Sequence, residues 1–208
     1  MKTWDDFIPR IAAALPDCTV PAMRLALKLA AIEFYTDSRA WRVENVDLAT
    51  TVAGTEVYTV ADVPASTKLV GLPAVWIDDT EVYELASGET DDTYPGETSS
   101  DVRVGVYSAD EIRITPVPAT SGGVVVGTVA YAPTEDALGI DDALFYAHHK
   151  GIGFLAIADL KRNVGKPWSD AAGGVAFRYE GDAARELMLA SSSAGPLRRR
   201  PMLRVRAL

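Results

Sequence analysis

Cysteine and histidine are scarce in this chain of 208 residues, which has one cysteine, Cys18, and two adjacent histidines, His148 and His149. A single cysteine excludes an intrachain disulfide and favours a reducing compartment. Neighbouring residues on a helix point about 100° apart, so the two histidines do not form a chelating pair, and no further cluster completes a zinc site. We therefore expect no metal and no cofactor, and we expect both histidines at the surface or in an interface.

Long apolar runs are also missing. The most apolar stretch, residues 25–32, contains Lys28 and is much shorter than the roughly 20 residues that cross a bilayer. Near the start of the chain, Asp5 and Asp6 lie where a secretory signal would need an apolar core. We expect neither membrane contact nor a signal peptide.

Signatures of catalysis are missing as well. The sequence has neither a phosphate-binding GxxxxGKS/T loop nor a GxGxxG fingerprint, and Cys18 has no recognisable base beside it. Adjacent carboxylates suit turns and helix starts better than they suit the facing acids of a glycosidase. Such pairs occur at 5–6, 78–79, 91–92 and 141–142. The sequence therefore predicts no catalytic residues and a protein that is not an enzyme.

Charge is distributed unevenly along the chain. The 20 lysines and arginines face 29 acids, for a net charge of −9, yet the last 13 residues hold five arginines and no acid. The rest of the chain therefore has 15 basic and 29 acidic residues. Such an acidic body argues against general binding to duplex DNA, whereas a short basic tail is typical of a contact arm.

The tail has a strand-like pattern, because Leu203, Val205 and Ala207 alternate with arginines. An extended segment of this kind suits docking on the sheet edge or groove of another protein. The residues expected to dock are Arg198, Arg199, Arg200, Met202, Leu203, Arg204, Val205, Arg206 and Leu208. Contact between the arginines and DNA phosphates is one alternative, and a disordered terminus is another.

Helical spacing of apolar residues predicts two helices at the start of the chain, over 4–15 and 21–38. Pro9 conflicts with the first, so that helix either kinks there or begins near it. The second is apolar on two sides, which predicts packing on two sides, within a bundle or against another subunit. We expect Glu33, in the most apolar part of this helix, to form an ion pair or to lie at a rim.

Two more helices are predicted near the end of the chain. Asp141 is a suitable N-cap for a helix that reaches about residue 163, and Ser169 is the expected N-cap of the last helix. In that last helix Arg178 and Asp182 are spaced as an i,i+4 ion pair. A stripe of mostly small residues on another face predicts close helix packing and consists of Ala172, Ala176, Tyr179, Ala183, Leu187 and Ala190.

Between the helical ends, from residue 41 to 133, the apolar pattern changes to a period of two. Short strands joined by tight turns, such as a hairpin turn at Asp78-Asp79, predict an antiparallel sandwich or a small barrel. Residues 87–101 are acidic and rich in serine, threonine and glycine, so we expect a solvated loop there.

The order of elements predicts an α+β fold in which a helical bundle, formed by the N- and C-terminal helices, carries an inserted antiparallel β-domain and an extended C-terminal tail. The N-terminal helices (1–40) cannot bury their apolar faces alone, and the C-terminal helices (136–193) are their natural partners. The β-domain occupies residues 41–135 and the basic tail residues 194–208.

Four stretches of the sequence are weak motifs when each is taken alone. Their order along the chain is more distinctive. The first comprises Leu15-Pro16-Asp17-Cys18-Thr19-Val20-Pro21, Ala30-Ala31-Ile32-Glu33-Phe34 and Arg39-Ala40-Trp41-Arg42; the others are 54–58, Ile114-Thr115-Pro116-Val117-Pro118 with a strand ending at Pro133, and Gly165-Lys166-Pro167-Trp168-Ser169-Asp170. Together they span most of the chain. The ordered set resembles the head-to-tail adaptor proteins of tailed bacteriophages and gene transfer agents, also called head-completion or connector proteins.

This resemblance implies a structural protein of the virion neck, made in the host cytoplasm, that forms a ring of twelve copies beneath the capsid portal. The implied partners are the portal protein, further copies of this chain, a downstream head-closure or tail protein, and genomic DNA that passes through the lumen without sequence recognition. The C-terminal extension would dock on the portal, which places the tail arginines in the portal-binding segment. An acidic body suits a lumen through which DNA slides.

Other interpretations remain open. A head-closure protein or another tail component is the nearest alternative. A β-sandwich that binds carbohydrate or calcium would account for the strands and for Asp91-Asp92, but not for the helices or the tail. An enzyme that uses carboxylates of the β-domain has no specific support.

Overall fold

Helices at both ends of the chain flank a central sheet in the computed structural model, which describes residues 1–85 and 102–193 and is mixed α+β. The elements of these residues, in order, are β1 (Lys2–Thr3), α1 (Ile8–Ile11), α2 (Val20–Ser38), β2 (Arg42–Thr50), β3 (Val57–Thr59), β4 (Thr67–Ile77), β5 (Thr80–Glu84), β6 (Arg103–Val106), β7 (Glu111–Thr115), β8 (Val124–Pro133), β9 (Gly139–Ile140), α3 (Asp142–Lys161) and α4 (Ala171–Ser193).

Of the two alternatives for residues 4–15, a kink at Pro9 or a helix that begins near it, the second is confirmed, but the α-helix is much shorter than predicted. The segment consists of a 3₁₀ turn at Trp4–Asp6, the short α1, and a second 3₁₀ turn at Ala12–Ala14. Pro9 lies in the first turn of α1, where its missing N–H removes no helical hydrogen bond. The proline therefore sets where the α-helical turn begins, and the apolar residues around it still reach the core.

The second and third predicted helices are confirmed. Helix α2 runs from Val20 to Ser38 and ends where Arg39 adopts a left-handed conformation, with φ of 49°. Asp141 is the N-cap of α3, and its Oδ1 accepts a hydrogen bond from the Ala143 N–H at 2.8 Å. The predicted limits of the two helices agree with the observed ones to within two residues.

The predicted N-cap of the last helix is one residue away from the observed one. The Oδ1 atom of Asp170, rather than Ser169, accepts the hydrogen bond from the Gly173 N–H, at 2.9 Å. The Ser169 hydroxyl instead donates to the Asn163 carbonyl and accepts from the Lys166 N–H, so Ser169 closes the preceding loop. A carboxylate at this position also faces the positive end of the helix dipole.

The small-residue stripe of α4 does not pack against another helix of the same chain. All six of its residues are exposed. The packed side carries glycines instead: a Cβ at Gly181 would lie 2.6 Å from Leu155 Cδ2, and one at Gly151 of α3 would lie 3.0 Å from Ala184 Cβ. Helices α3 and α4 approach closely through glycine, which leaves the alanines facing outward.

The strands of the central region form one seven-stranded sheet, in the order β2-β8-β4-β5-β6-β7-β3. The sheet is curled, and its two edge strands, β2 and β3, come into contact. Neighbouring strands are antiparallel except β5 and β6, which pair in parallel at Tyr83↔Arg103 and Glu84↔Val104. The expectation of a wholly antiparallel domain is therefore wrong for this pair. The long connection between β5 and β6 makes it possible, because a parallel pair needs a crossover of about a dozen residues.

Two hydrophobic cores organise the molecule. One lies among the helices and includes Phe7, Leu27, Phe34, Phe145 and Leu155. The other lies within the curled sheet; its largest fully buried side chains are Leu48, Leu72, Ile112, Ile114 and Tyr131.

Trp41, at the junction of α2 and β2, packs against both cores. Its ring centroid lies 5.8 Å from that of Tyr35 and 6.3 Å from that of Tyr131. Helix α3 packs on both α2 and α4, and α2 also touches α4. The helical elements thus share one apolar core although they come from opposite ends of the chain.

Candidate functional site

The residues predicted to dock on a partner lie outside the described residues. They are Arg198, Arg199, Arg200, Met202, Leu203, Arg204, Val205, Arg206 and Leu208. The predicted solvated loop at 87–101 also lies outside them. The described residues therefore bear on function through the body of the molecule, and three of its features matter: a charged cluster, a clasp between helix and sheet, and two exposed helix faces.

The charged cluster joins α2 to α4. Arg178 of α4 binds both carboxylate oxygens of Glu33, and Arg185, two turns later, binds Glu33 at 3.2 Å and Asp37 at 2.5 Å. Asp182 lies between the two arginines on α4 and contacts each at 3.1 Å. The predicted ion pairs of Glu33 and of Arg178 with Asp182 are confirmed.

The pKa values of one cluster member and of one neighbouring carboxyl group are shifted. The hydrogen bond from Arg178 to Glu33 raises the pKa of that guanidinium above its ordinary value. Burial, followed by the nearby charge of Glu33, raises the pKa of the Asp159 carboxyl on α3. Arg185 is not among the residues predicted to form ion pairs, although its spacing of seven residues from Arg178 places both on one helix face. The cluster holds helices together, and no reacting atom is needed to account for it.

The clasp joins the end of α2 to the sheet. The Arg39 Nη1 atom donates to both oxygens of Glu84 on β5, at 2.9 and 2.7 Å, and Glu84 Oε1 also accepts from the Leu72 N–H at 2.9 Å. Gly71 makes room for the arginine, because a Cβ there would lie 2.8 Å from Arg39 Nε. No local pattern predicts this pair, because its members are 45 residues apart.

The histidines occupy different environments. His148 is half-buried, with its ring centroid 5.5 Å from that of Phe34 and 5.6 Å from that of Tyr35, and burial lowers its pKa. His149 stacks on Phe145 and accepts a hydrogen bond from Arg10 at 2.9 Å. Of the two positions expected for the histidines, surface or interface, a fully exposed surface position does not hold for His148, since its ring packs beside the helical core. Over residues 1–85 and 102–193, no group of three histidine, cysteine or acidic side chains could hold a metal ion.

Cys18 and the aspartate pair at 78–79 have structural roles. Burial raises the pKa of the Cys18 thiol, which disfavours the reactive thiolate. Asp78 and Asp79 both adopt left-handed backbone conformations in the β4–β5 turn, with φ of 47° and 66°. The Asp78 carboxylate also accepts a hydrogen bond from the Val124 N–H at 2.9 Å. The predicted hairpin turn is confirmed.

Two outer helix faces expose large apolar side chains. On α2, Leu25 is 58% exposed and Leu29 47% exposed. On α4, Val175, Tyr179 and Leu187 are 68%, 74% and 64% exposed, alongside the alanines of the stripe. A contiguous apolar surface of this kind marks a site of contact with another protein more often than it marks a free surface.

None of the helices traced here is long and apolar enough to cross a membrane.

Exposed apolar helix faces, together with charged clusters that serve packing, characterise a structural protein that assembles with other proteins. The sequence model of the SU10 adaptor protein family matches residues 2–200, and the chain belongs to this family. It is a phage head–tail adaptor, a structural component of the virion, and the family implies interaction with portal and tail components. The resemblance noted in the sequence is therefore confirmed. No curated protein matches the chain.

Proposed function

We propose that this chain is one subunit of an adaptor ring that joins the capsid portal to the tail and forms part of the channel for the genome. The match of residues 2–200 to the adaptor family carries the proposal. In this proposal the helices form one bundle, residues 41–135 are a domain inserted into it, and the ring has twelve copies. The excess of acids over bases in residues 1–195 suits a lumen that does not retain DNA.

The C-terminal tail is the proposed portal anchor. Helix α4 spans Ala171–Ser193, and the proposed anchor follows it in the sequence. Fully extended, the 13 residues from Pro196 would reach roughly 40 Å, which is long enough to cross onto a neighbouring ring. Its five arginines supply charge, and the apolar residues between them supply surface that can be buried.

Co-purification with the portal protein of the same phage tests both parts of the proposal. We expect the full chain to bind assembled portal rings and a chain that ends at Gly195 to lose binding. A full-length variant with the five tail arginines changed to glutamine is the matched control, because it keeps the apolar residues and the length. Weakened binding by this variant would assign part of the affinity to charge.

The outcomes separate the two parts. Binding by both the full and the shortened chain would support the adaptor ring and contradict the role of the tail. Failure of the full chain to bind a properly assembled portal ring would contradict the proposed position. A head-closure protein, which would bind an adaptor instead of the portal, would then be the better assignment.

A further inference from the structure

We infer that the outer face of α2 in one copy of this chain docks on the outer face of α4 in the next copy, in a head-to-tail contact. The α2 face consists of Leu25, Leu29 and Ile32, and the α4 face consists of Ala172, Ala176, Tyr179, Ala183 and Leu187. This inference rests on the proposed ring and names the surfaces that would build it.

The two faces differ in shape. Leu25 and Leu29 project from α2 as bulky side chains one helical turn apart, and Ile32 continues the same row. Along its alanines the α4 face carries only short side chains, and larger side chains such as Tyr179 and Leu187 border it. Bulky side chains of one helix pack best into gaps between side chains of another, and alanines provide such gaps.

Glu33 also borders the α2 face but is already paired with Arg178 and Arg185, and the remaining charges beside the two faces have opposite signs. Arg24 and Lys28 flank the α2 face; Arg24 binds Asp5, whereas Lys28 donates to the Glu135 carbonyl and meets no carboxylate among the described residues. Glu180 and Glu186 flank the α4 face, and both are exposed without an ion pair in the described part of the chain. A contact between unlike faces brings Lys28 near these glutamates.

The same charges disfavour symmetric pairing. Two α4 faces packed on each other would bring Glu180 and Glu186 against their own copies, and two α2 faces would do the same for Lys28. Like charges placed opposite each other oppose association. A contact between two different faces also has the geometry that a ring needs, since a self-complementary contact closes as a dimer.

The size of the contact sets how it should be measured. Helix α2, with 19 residues, is about 28 Å long, so a strip roughly 10 Å wide on it offers about 280 Å². Stable interfaces bury about 800 Å² on each partner. The helix contact alone is therefore weak, and covalent trapping is better suited to it than equilibrium sizing.

Cysteine cross-linking of the full chain is the test. Leu29→Cys and Ala183→Cys are made separately in a Cys18→Ala background, because both positions are exposed and the native thiol is then absent. After treatment with a short bismaleimide, we expect a mixture of the two variants to give a covalent heterodimer and each variant alone to give little dimer. A chain that carries both cysteines should give a ladder of multimers. Thermal unfolding of each variant checks that it is folded.

Charge reversal provides the matched control. Lys28→Glu in the Leu29→Cys chain should lower the heterodimer yield by about two- to fivefold, as expected for a rim ion pair. Glu186→Lys in the Ala183→Cys partner should restore part of the yield, which a nonspecific apolar contact would not do.

Three results would overturn the inference: no heterodimer in the mixture, equal dimer from either variant alone, or no response to charge reversal. Dimer from the Ala183→Cys variant alone would assign a symmetric α4 contact instead. If the full chain binds the portal but none of the cross-links forms, the proposed function survives and this inference fails. If the cross-links form but the full chain does not bind the portal, this inference survives and the proposed function fails.

Discussion

At the scale of single residues, Gly181 decides how closely α4 approaches α3. A methyl group there would lie 2.6 Å from Leu155 Cδ2, 2.8 Å from Leu155 Cγ and 3.2 Å from the Leu155 backbone nitrogen. Alanine improves intrinsic helix propensity by up to about 1 kcal/mol, but overpacking a tight contact costs about 1–3 kcal/mol. We expect the clash to prevail, so Gly181→Ala lowers the free energy of unfolding by about 1 kcal/mol or more.

Urea denaturation measures this change, with Glu180→Ala as the control on the neighbouring exposed position. That control should alter stability by less than about 0.5 kcal/mol, as surface substitutions usually do. A Gly181→Ala protein as stable as the parent would mean that the two helices separate easily. It would also remove the reason for glycine on the packed side of α4.

At the scale of elements, the start of α4 depends on Asp170. Its carboxylate accepts from the Gly173 N–H and from Lys161 Nζ, and the Gly173 bond, then the Lys161 bond, lower its pKa. We expect Asp170→Ala to destabilise the protein by about 1 kcal/mol, the usual cost of a lost N-cap. Asp170→Asn keeps a capping oxygen and should cost much less. Equal losses in the two variants would show that the exposed contact with Lys161, and not the cap, is the important interaction.

Local signals predicted some elements and failed at others. The cap at Asp141 and the turn at Asp78-Asp79 depend on neighbouring residues, so the sequence was sufficient for them. The packed face of α4 could not be assigned in this way, because glycine on one side and alanine on the other both permit close packing. The parallel pair of β5 and β6 depends on a pairing across about twenty residues, which no local pattern encodes.

The contacts of the candidate site likewise include some that the sequence predicts and some that it does not. The sequence predicts an ion pair or a rim position for Glu33, and the structure pairs it with Arg178 and Arg185. Arg39 and Glu84, which are far apart in sequence, were not paired in advance. The exposed stripe of α4 was recognised as a packing face, but the sequence could not say whether its partner lies within the chain.

At the scale of the whole molecule, Arg39 and Glu84 link the helical core to the sheet. Arg39→Gln, Glu84→Gln and the double variant form a cycle that isolates the ion pair, since glutamine at 84 can still accept from the Leu72 N–H. Both side chains are about two-thirds or more buried, so we expect a coupling of about 1 kcal/mol in the free energy of unfolding. A coupling near zero would show that apolar packing, and not this ion pair, joins the two cores.

Helix α4 leads directly into the segment proposed to hold the portal. A pull on that segment would load the helix along its length and pass sideways into α3, at the glycine contacts where the two approach most closely. The contacts between α3 and α4 would then share the force at once, in shear, and would not separate one by one. In the proposed assembly, the packing of α4 on α3 would bear the tension on this anchor, and the curled sheet would be free of it.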